Sequence, residues 1–418
     1  MSEMAEDFWT KAVNAAADEF SEPVQTRIPT EPTKLRVDEE RWAWLEIDLG
    51  AIEHNIAECR KRIDGKTRVL AVVKANAYGH GAVRVAHAAL KAGASYLAVA
   101  TVDEGKELRR AGITAPILIL AQPPYASIPA LLDYDLMPAV QATEFALALG
   151  AAADARGVVA GYHLQPNTGM NRVGILPADA VEFMRMTDFH RGLKIEGTFT
   201  HFATADEVDE IGFALQLQRF TDAIAAMRAA GFSTGLVHCA NSAAAIRYHR
   251  AQFDMVRLGI VIYGLHPSDV TRRLVDLRPA MSVRARINML GEPAVGEGVS
   301  YGFTYRSPGN VIIATIPIGY ADGLARALSN KMDVLYRGHR MPQVGNICMD
   351  QFMFEIDKRN STYVRTEPPK IGDLVTIIGR DGEDELTLDA MADELGTINY
   401  ELACRFGLRM KRIYLNGR

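Results

Sequence analysis

The sequence predicts an α/β fold, a (β/α)8 TIM barrel followed by a mainly β C-terminal domain, and three observations carry that expectation. Eight short apolar runs alternate with helix-period segments over roughly 220 residues, the count and length of such a barrel. Beyond about residue 277 the helical period gives way to β-type runs punctuated by Gly and Asp-Gly. The glycine-rich GxGxxG first turn of the competing doubly wound sheet is absent.

The elements follow in order. Residues 1–38 form an acidic, Pro-punctuated leader in which Met4, Phe8, Ala12, Val13, Ala16 and Phe20 share one helical face, as a docking helix would. The barrel is expected over 39–277. Its strands are VLAVVK (69–74), YLAVA (96–100), ILILA (117–121), LMPAV (136–140), GYHLQ (161–165), IEGTFTHF (195–202), LVHCA (236–240) and MVRLGI (255–260). Helical segments such as FALQLQRFTDAIAAMRAAG lie between them, that one closing on Gly231. Over 278–418 the runs VIIATIPI, MDVLY, FMFEI and LVTIIG read as strands of a second domain.

Composition bounds the function. With 48% hydrophobic residues among 418, a large core and two domains are expected. A net charge of −5 without a long basic run argues against nucleic acid. No apolar stretch approaches the roughly 18 residues of a membrane span. The first residues show neither a basic n-region nor an apolar h-region, and the four cysteines are scattered without metal-ligand spacing. A cytoplasmic protein without a metal site or disulfide framework is therefore expected.

Catalytic residues of such barrels sit at the C-terminal strand ends. Those ends carry Lys74, His201, Asn241, Ser242 and Arg257. Alone, Lys74 reads as a side chain snorkelling to solvent, and Ser242 as a helix N-cap. Together they read differently. Ser242 opens SAAAIRYH after the seventh strand, and Gly259-Ile260 follow the eighth, the usual phosphate position of this fold. An aldehyde-trapping lysine and a phosphate cradle at one mouth suggest pyridoxal phosphate.

AVVKANAYGHG (71–81) resembles the cofactor-lysine motif of the alanine racemase family, the barrel-type pyridoxal-phosphate amino-acid racemases. The resemblance recurs in NTGMNRVG (167–174), THFATADE (200–207), HCANSAA (238–244), VRLGIVIYG (256–264), GVSYGFTY (298–305), IGYADGL (318–324), VGNICMDQ (344–351) and NYELACRFGLRMKRIY (399–414). It spans about residue 42 to the C-terminus. It implies interconversion of L- and D-alanine by two bases. Lys74 would hold the cofactor as a Schiff base and act as one base; Tyr301 from the other subunit of a homodimer would be the second. Tyr78, Ser242, the backbone of Gly259 and Ile260, and Tyr400 would bind phosphate, with Asn241 beside them. Arg257 would donate to the pyridine nitrogen, and His201 would flank the ring. Arg172 and the partner's backbone at Met349 would hold the substrate carboxylate. Arg257, and His201 if it is protonated, would lower the pKa of both bases.

Read singly, Tyr301 is equally a loop aromatic, His201 a core histidine, Arg172 a surface arginine, Asp322 a turn residue, and Cys348 and Met349 core. The chain departs from the family pattern at two places. Gln165 stands where many members carry a carbamylated lysine, with Asn167 for a nearby aspartate, so Arg172 must be oriented by a neutral amide or a bound anion. Asn346 replaces an access-corridor arginine. Broader specificity (serine, lysine) is one alternative reading. A related diamino-acid decarboxylase lacks its glycine triplet and CESGD-like motif here, a single-domain cofactor carrier would lack the β domain, and a metal-dependent aldolase would need a ligand cluster.

Overall fold

The computed structural model describes residues 41–359 and 367–417; the leader helix expected within residues 1–38 lies outside them. Nine strands come first: β1 (Ala43–Asp48), β2 (Arg68–Val72), β3 (Tyr96–Val99), β4 (Ile117–Ile119), β5 (Met137–Val140), β6 (Ala160–Leu164), β7 (Leu193–Phe199), β8 (Leu236–His238) and β9 (Met255–Leu258). Strands β2 to β9 form one parallel sheet in which each pairs with the next as far as β8, and β9 returns to pair with β2. All eight apolar runs are thus barrel strands. Between β8 and β9 the closure rests on two amides instead of a ladder: Asp254 N donates to Val237 O (3.0 Å) and Arg257 N to Ala240 O (2.9 Å).

The two kinds of strand differ because their faces differ. In β2, Val69, Leu70 and Ala71 are fully buried, since a barrel strand is covered by side chains inside and helices outside. Helix Ile211–Ala229 supplies part of that cover through Phe213, Leu217, Phe220, Ile224 and Met227, spaced for one face. The second domain begins with β10 (Met281–Arg286), where buried and half-buried residues alternate as in a sheet with one wet face.

It continues through β11 (Met289–Gly291), β12 (Gly298–Val299), β13 (Tyr305–Arg306), β14 (Val311–Ile316), β15 (Asp333–Tyr336), β16 (His339–Val344), β17 (Phe352–Asp357), β18 (Leu374–Asp381), β19 (Asp384–Leu386) and β20 (Lys411–Leu415). The main sheet runs β11-β14-β17-β16-β15-β18-β10-β1-β20, with β12 and β13 as a separate hairpin. Strand β1 therefore departs from the expected 39–277 barrel segment. It pairs antiparallel with β10 and parallel with β20, because AWLEID offers an alternating face that only a half-exposed sheet can use. Asp322 does serve a turn, accepting from Gly319 N (3.0 Å), but it is fully buried and also binds Arg41 (2.6 Å).

One buried amide ties the helix after β1 to the segment between β9 and β10. Asn55, on helix Leu49–Arg60, donates to Ile262 O (3.1 Å) and Arg278 O (2.9 Å) and accepts from Arg278 N (2.7 Å). Asn55→Ala would strand three backbone groups, each costing about 1–3 kcal/mol where water is excluded. The expected outcome is a loss of about 3 kcal/mol or more in denaturant unfolding. A change within about 0.5 kcal/mol would show that water replaces the clamp.

Candidate active site

The C-terminal ends of the barrel strands surround one cavity of about 480 Å³. Ten residues singled out from the sequence line it: Lys74, Tyr78, Arg172, His201, Asn241, Ser242, Arg257, Gly259, Ile260 and Tyr400. Two further residues of its wall are Asp206, to which the sequence reading gave no role, and Gln165, expected there only as a neutral neighbour of Arg172. Asp206 sits in the loop after β7, where strand-end position alone flags it, and Gln165 ends the run of β6.

Lys74 follows β2 at the head of an unusual turn. Ala75 (φ 52°, ψ 49°), Asn76 (52°, 46°) and Ala77 (54°, 54°) are left-handed, as is Tyr78 (φ 50°). Each such L-residue costs roughly 1–2 kcal/mol, so neighbouring contacts must hold the turn. Gly79 (φ 81°) closes it, and a Cβ there would lie 2.3 Å from Ala403 O. The Tyr78 ring packs on Tyr263 (centroids 4.8 Å) and Tyr400 (6.2 Å), and the Tyr263 hydroxyl donates to Val72 O at 2.8 Å. The Lys74 amine has a lowered pKa, first because it is buried and then because Arg172 is near.

The far end of the cavity is a cradle. Asn241, not Ser242, caps helix Ser242–Arg247, accepting from Ala244 N at 3.0 Å. The Ser242 hydroxyl is thereby left to face Gly259, whose N–H donates to its Oγ at 2.9 Å. A Cβ on Gly259 would sit 3.0 Å from the Tyr78 hydroxyl and 3.7 Å from Ser242 Oγ. The bare backbone keeps open a space ringed by hydroxyls and an amide, the donor set an oxyanion needs.

Arg257 is buried, and among the described residues no carboxylate pairs with it. Its guanidinium donates to Thr200 O (2.8 Å), His238 O (3.2 Å) and Cys239 O (3.3 Å), and lies over the Phe199 ring. Burial brings its pKa down to about 10, so it stays charged. As it can only donate, its contacts with His238 Nδ1 (3.1 Å) and His201 Nδ1 (3.2 Å) make both nitrogens acceptors. The His238 proton then sits on Nε2 and is donated to His163 Nδ1 (2.9 Å).

The lowering of the bases' pKa expected from Arg257 and from any protonated His201 is not what acts at Lys74. Burial, then Arg257, Arg172 and Lys74, hold the pKa of His201 at about 3, so it is neutral. The lowering at Lys74 comes from burial and Arg172 instead.

Arg172 is exposed at the cavity mouth, in a loop whose Asn167 Oδ1 accepts from Gly169 N (3.2 Å) and Asn171 N (3.0 Å). No hydrogen bond joins it to Gln165, whose Oε1 accepts from Gln141 Nε2 at 2.8 Å. The expected orienting amide is thus occupied elsewhere. Tyr301 and Met349 do not line the cavity; they are 75% and 53% exposed, which also rules out a core role for Met349. Asn346 donates to Tyr301 O (2.7 Å), and Ser300 Oγ donates to Asn346 O (2.6 Å), tying the two loops together.

Fold and site define a barrel enzyme whose strand-end lysine faces an oxyanion cradle. Residues 47–267 match the alanine racemase N-terminal domain and residues 280–414 the alanine racemase C-terminal domain. The alanine racemase of Desulfovibrio desulfuricans is 43% identical over 90% of this chain and 99% of its own. That of Synechocystis is 41% identical over 89% and 99%. The crystal structure of the Bacillus anthracis alanine racemase with bound L-Ala-P superposes with a TM-score of 0.84 at 38% identity, covering 90% of this chain and 96% of the other. The chain belongs to the alanine racemase family. Its activity is the racemisation of alanine, an isomerase reaction of a family that generally uses pyridoxal phosphate.

The buried histidines imply a pH dependence. His80 is held at about 4 and His163 and His201 at about 3, with His238 also well below 6.5, burial being the first cause in each. Unfolded, each takes up a proton near pH 6.5, so the unfolded chain binds more protons and stability rises with pH. Unfolding free energy should fall between pH 7.5 and 5.5, approaching about 1.4 kcal/mol per pH unit per histidine below 6.5. Denaturant melts across that window check it; a flat profile would mean these side chains are charged in the folded chain.

Proposed function

We propose that this cavity binds pyridoxal 5′-phosphate through Lys74 and that two copies of the chain share each site of alanine racemisation. The observation that carries the reading is one cavity uniting a lysine of lowered pKa, the Tyr78–Ser242–Gly259 cradle and the unpaired Arg257 cation. Its lining cations, Lys74, Arg172 and Arg257, face a single acid, Asp206, which suits a phosphate and a substrate carboxylate. When bound, the cofactor supplies an aldehyde for amines and a sink for the charge left at the substrate Cα.

The chain's own groups do the rest. Tyr78, Ser242, Tyr400 and the amides of Gly259 and Ile260 hold the phosphate, with Asn241 fixing the start of its helix. Arg257, protonated at any working pH, donates to the pyridine nitrogen and so keeps a proton off it. That limits the sink and favours prompt reprotonation at Cα. His201, neutral, packs beside the ring. Arg172 holds the carboxylate, joined by the backbone at Met349 from the other subunit.

Racemisation removes a proton on one face and returns one on the other, so two positioned groups are required. Within the cavity Lys74 is the suitable one. The neutral His201 is too weak a base, and burial raises Tyr78 and Tyr400. Tyr301, exposed on another surface, is the group a second copy brings. Among the described residues no helix is long and apolar enough to cross a membrane, and all four cysteines are free, which fits a reducing cytoplasm.

The purified protein should be yellow, and Lys74→Ala should abolish both the visible band and the borohydride-reducible adduct; an adduct surviving in that variant places the cofactor on another lysine. Mixing Lys74→Ala with Tyr301→Phe chains should restore partial activity, since one hybrid site then carries both bases. No recovery after confirmed subunit exchange would count against shared sites. A glutamine forms no carbamate, so activity should be unchanged when bicarbonate is stripped. Loss on stripping and return on re-addition would locate a carbamate at some other residue.

A further inference from the structure

The amide next to Lys74 is held from a neighbouring strand end. Ala75 N donates to Glu104 Oε1 at 2.6 Å. The other oxygen of the same carboxylate accepts from Ala100 N (2.8 Å) and Thr101 N (3.1 Å). Glu104 is the third residue of helix Val102–Arg110 and completes a capping box with Thr101, whose hydroxyl accepts from Glu104 N at 3.3 Å. A capping box needs one of the two carboxylate oxygens; here the second reaches across to the left-handed turn.

We propose that Glu104 is a positioning residue for Lys74, anchoring the first amide of the left-handed turn so that the lysine amine is presented to the cavity. The inference rests on Lys74 being the cofactor lysine. Three amides converge on one carboxylate, so charge-assisted bonds hold the turn where its backbone conformation is unfavourable. Asn76 closes the other end, its Oδ1 accepting from Ala82 N at 2.8 Å.

The charged and titratable groups facing Lys74 are Arg172, Glu104 and the Cys404 thiol, with the neutral His201 close by. Burial and Arg172 lower the amine's pKa, while Glu104 and Cys404 oppose them. Glu104 thus acts twice on the same amine, through the backbone and through its charge.

The two roles of Glu104 are separable. Thr101→Ala weakens the same cap without touching Ala75. Glu104→Gln keeps the shape but must turn its amide nitrogen either toward Ala75 N–H or toward the cap, and it removes the charge. In full-length chains stripped of cofactor, the rate of borohydride-fixable attachment of pyridoxal phosphate to Lys74 is followed by mass spectrometry against pH. Glu104→Gln should slow attachment about tenfold or more at pH 8, as a displaced reacting group does. Its pH dependence should move to lower pH, because a negative charge near the amine is gone. In the loaded enzyme, kcat should fall by a similar factor while KM for alanine changes less than about threefold, because Arg172 is untouched. Thr101→Ala should lower the melting temperature and change neither rate nor pH dependence.

Attachment and kcat within about twofold of the parent in Glu104→Gln, or equal losses in Thr101→Ala, would overturn the proposal and leave Glu104 a helix cap. Lys74→Ala in parallel separates the two ideas: attachment persisting there refutes Lys74 as the cofactor lysine, whereas its absence there with normal attachment in Glu104→Gln refutes only Glu104.

Discussion

A buried guanidinium without a carboxylate partner governs this structure. Arg257 sits at the one seam of the described barrel that has no strand ladder, and its own amide makes one of the two backbone–backbone bonds bridging that seam. Its side chain collects the carbonyls of Thr200, His238 and Cys239, which end β7 and β8, so the charge also staples the strand ends that form the cavity floor. A buried ion is expensive to desolvate, and a carboxylate would cancel the field. Carbonyl dipoles and two neutral imidazoles stabilise it while leaving its positive potential directed at the cavity. The histidine tautomers follow: an obligate donor on one side forces acceptors on His201 and His238, and the proton order then runs outward to His163.

That fixed field sits on the strand next to the one that leads into the most contorted backbone of the described barrel. Four consecutive left-handed residues after Lys74 oppose local preference and persist only because contacts from several elements determine them. Tyr263 braces the Tyr78 ring, Gly79 fits against Ala403 of the β domain's helix, and Glu104 takes the first amide. Strain at the lysine and rigidity at the arginine are complementary. In the proposed reading, the lysine that forms and breaks covalent bonds is placed on a turn, whereas the arginine that supplies a field is built into the wall.

Local pattern made most of the scaffold legible. Continuous apolar runs mean strands covered on both faces, and each of the eight is one. The strand-end position of Lys74, His201, Ser242 and Arg257 was enough to collect them at one mouth. What escaped depends on partners distant in sequence. Strand β1 alternates as any half-exposed strand does, and only β10 and β20, more than 230 residues away, decide which sheet it joins. The neutrality of His201 is a matter of burial and of three cations that the sequence scatters. Ser242 looked like a cap because the true cap, Asn241, is adjacent and equally suited. Glu104 was readable as the last residue of a T-x-x-E capping box, but its hold on Ala75 was not, since nothing local reports which turn its second oxygen meets. The family roles of Tyr301 and Met349 came from resemblance, and in a single chain both lie away from the cavity.

If Arg172 holds the substrate carboxylate as proposed, the neutral Gln165 has an energetic consequence for substrate binding. A charged neighbour would hold Arg172 in place before the substrate arrives. In this chain the acceptor oxygen of Gln165 is engaged by Gln141, and the exposed guanidinium has no hydrogen bond or ion pair within the described chain. Its ordering must accompany carboxylate binding, and freezing a side chain of that length costs on the order of 1–2 kcal/mol. That is about a factor of ten in affinity. Alanine has only a methyl group with which to offset it, so its carboxylate contact carries a larger share of binding than in a larger amino acid. A bound anion that fixed Arg172 in advance would lower the ordering cost. With Arg172 as the carboxylate-binding group we propose, Gln165 bears on ground-state affinity, whereas the proton transfers proposed for Lys74 are left to a different part of the wall.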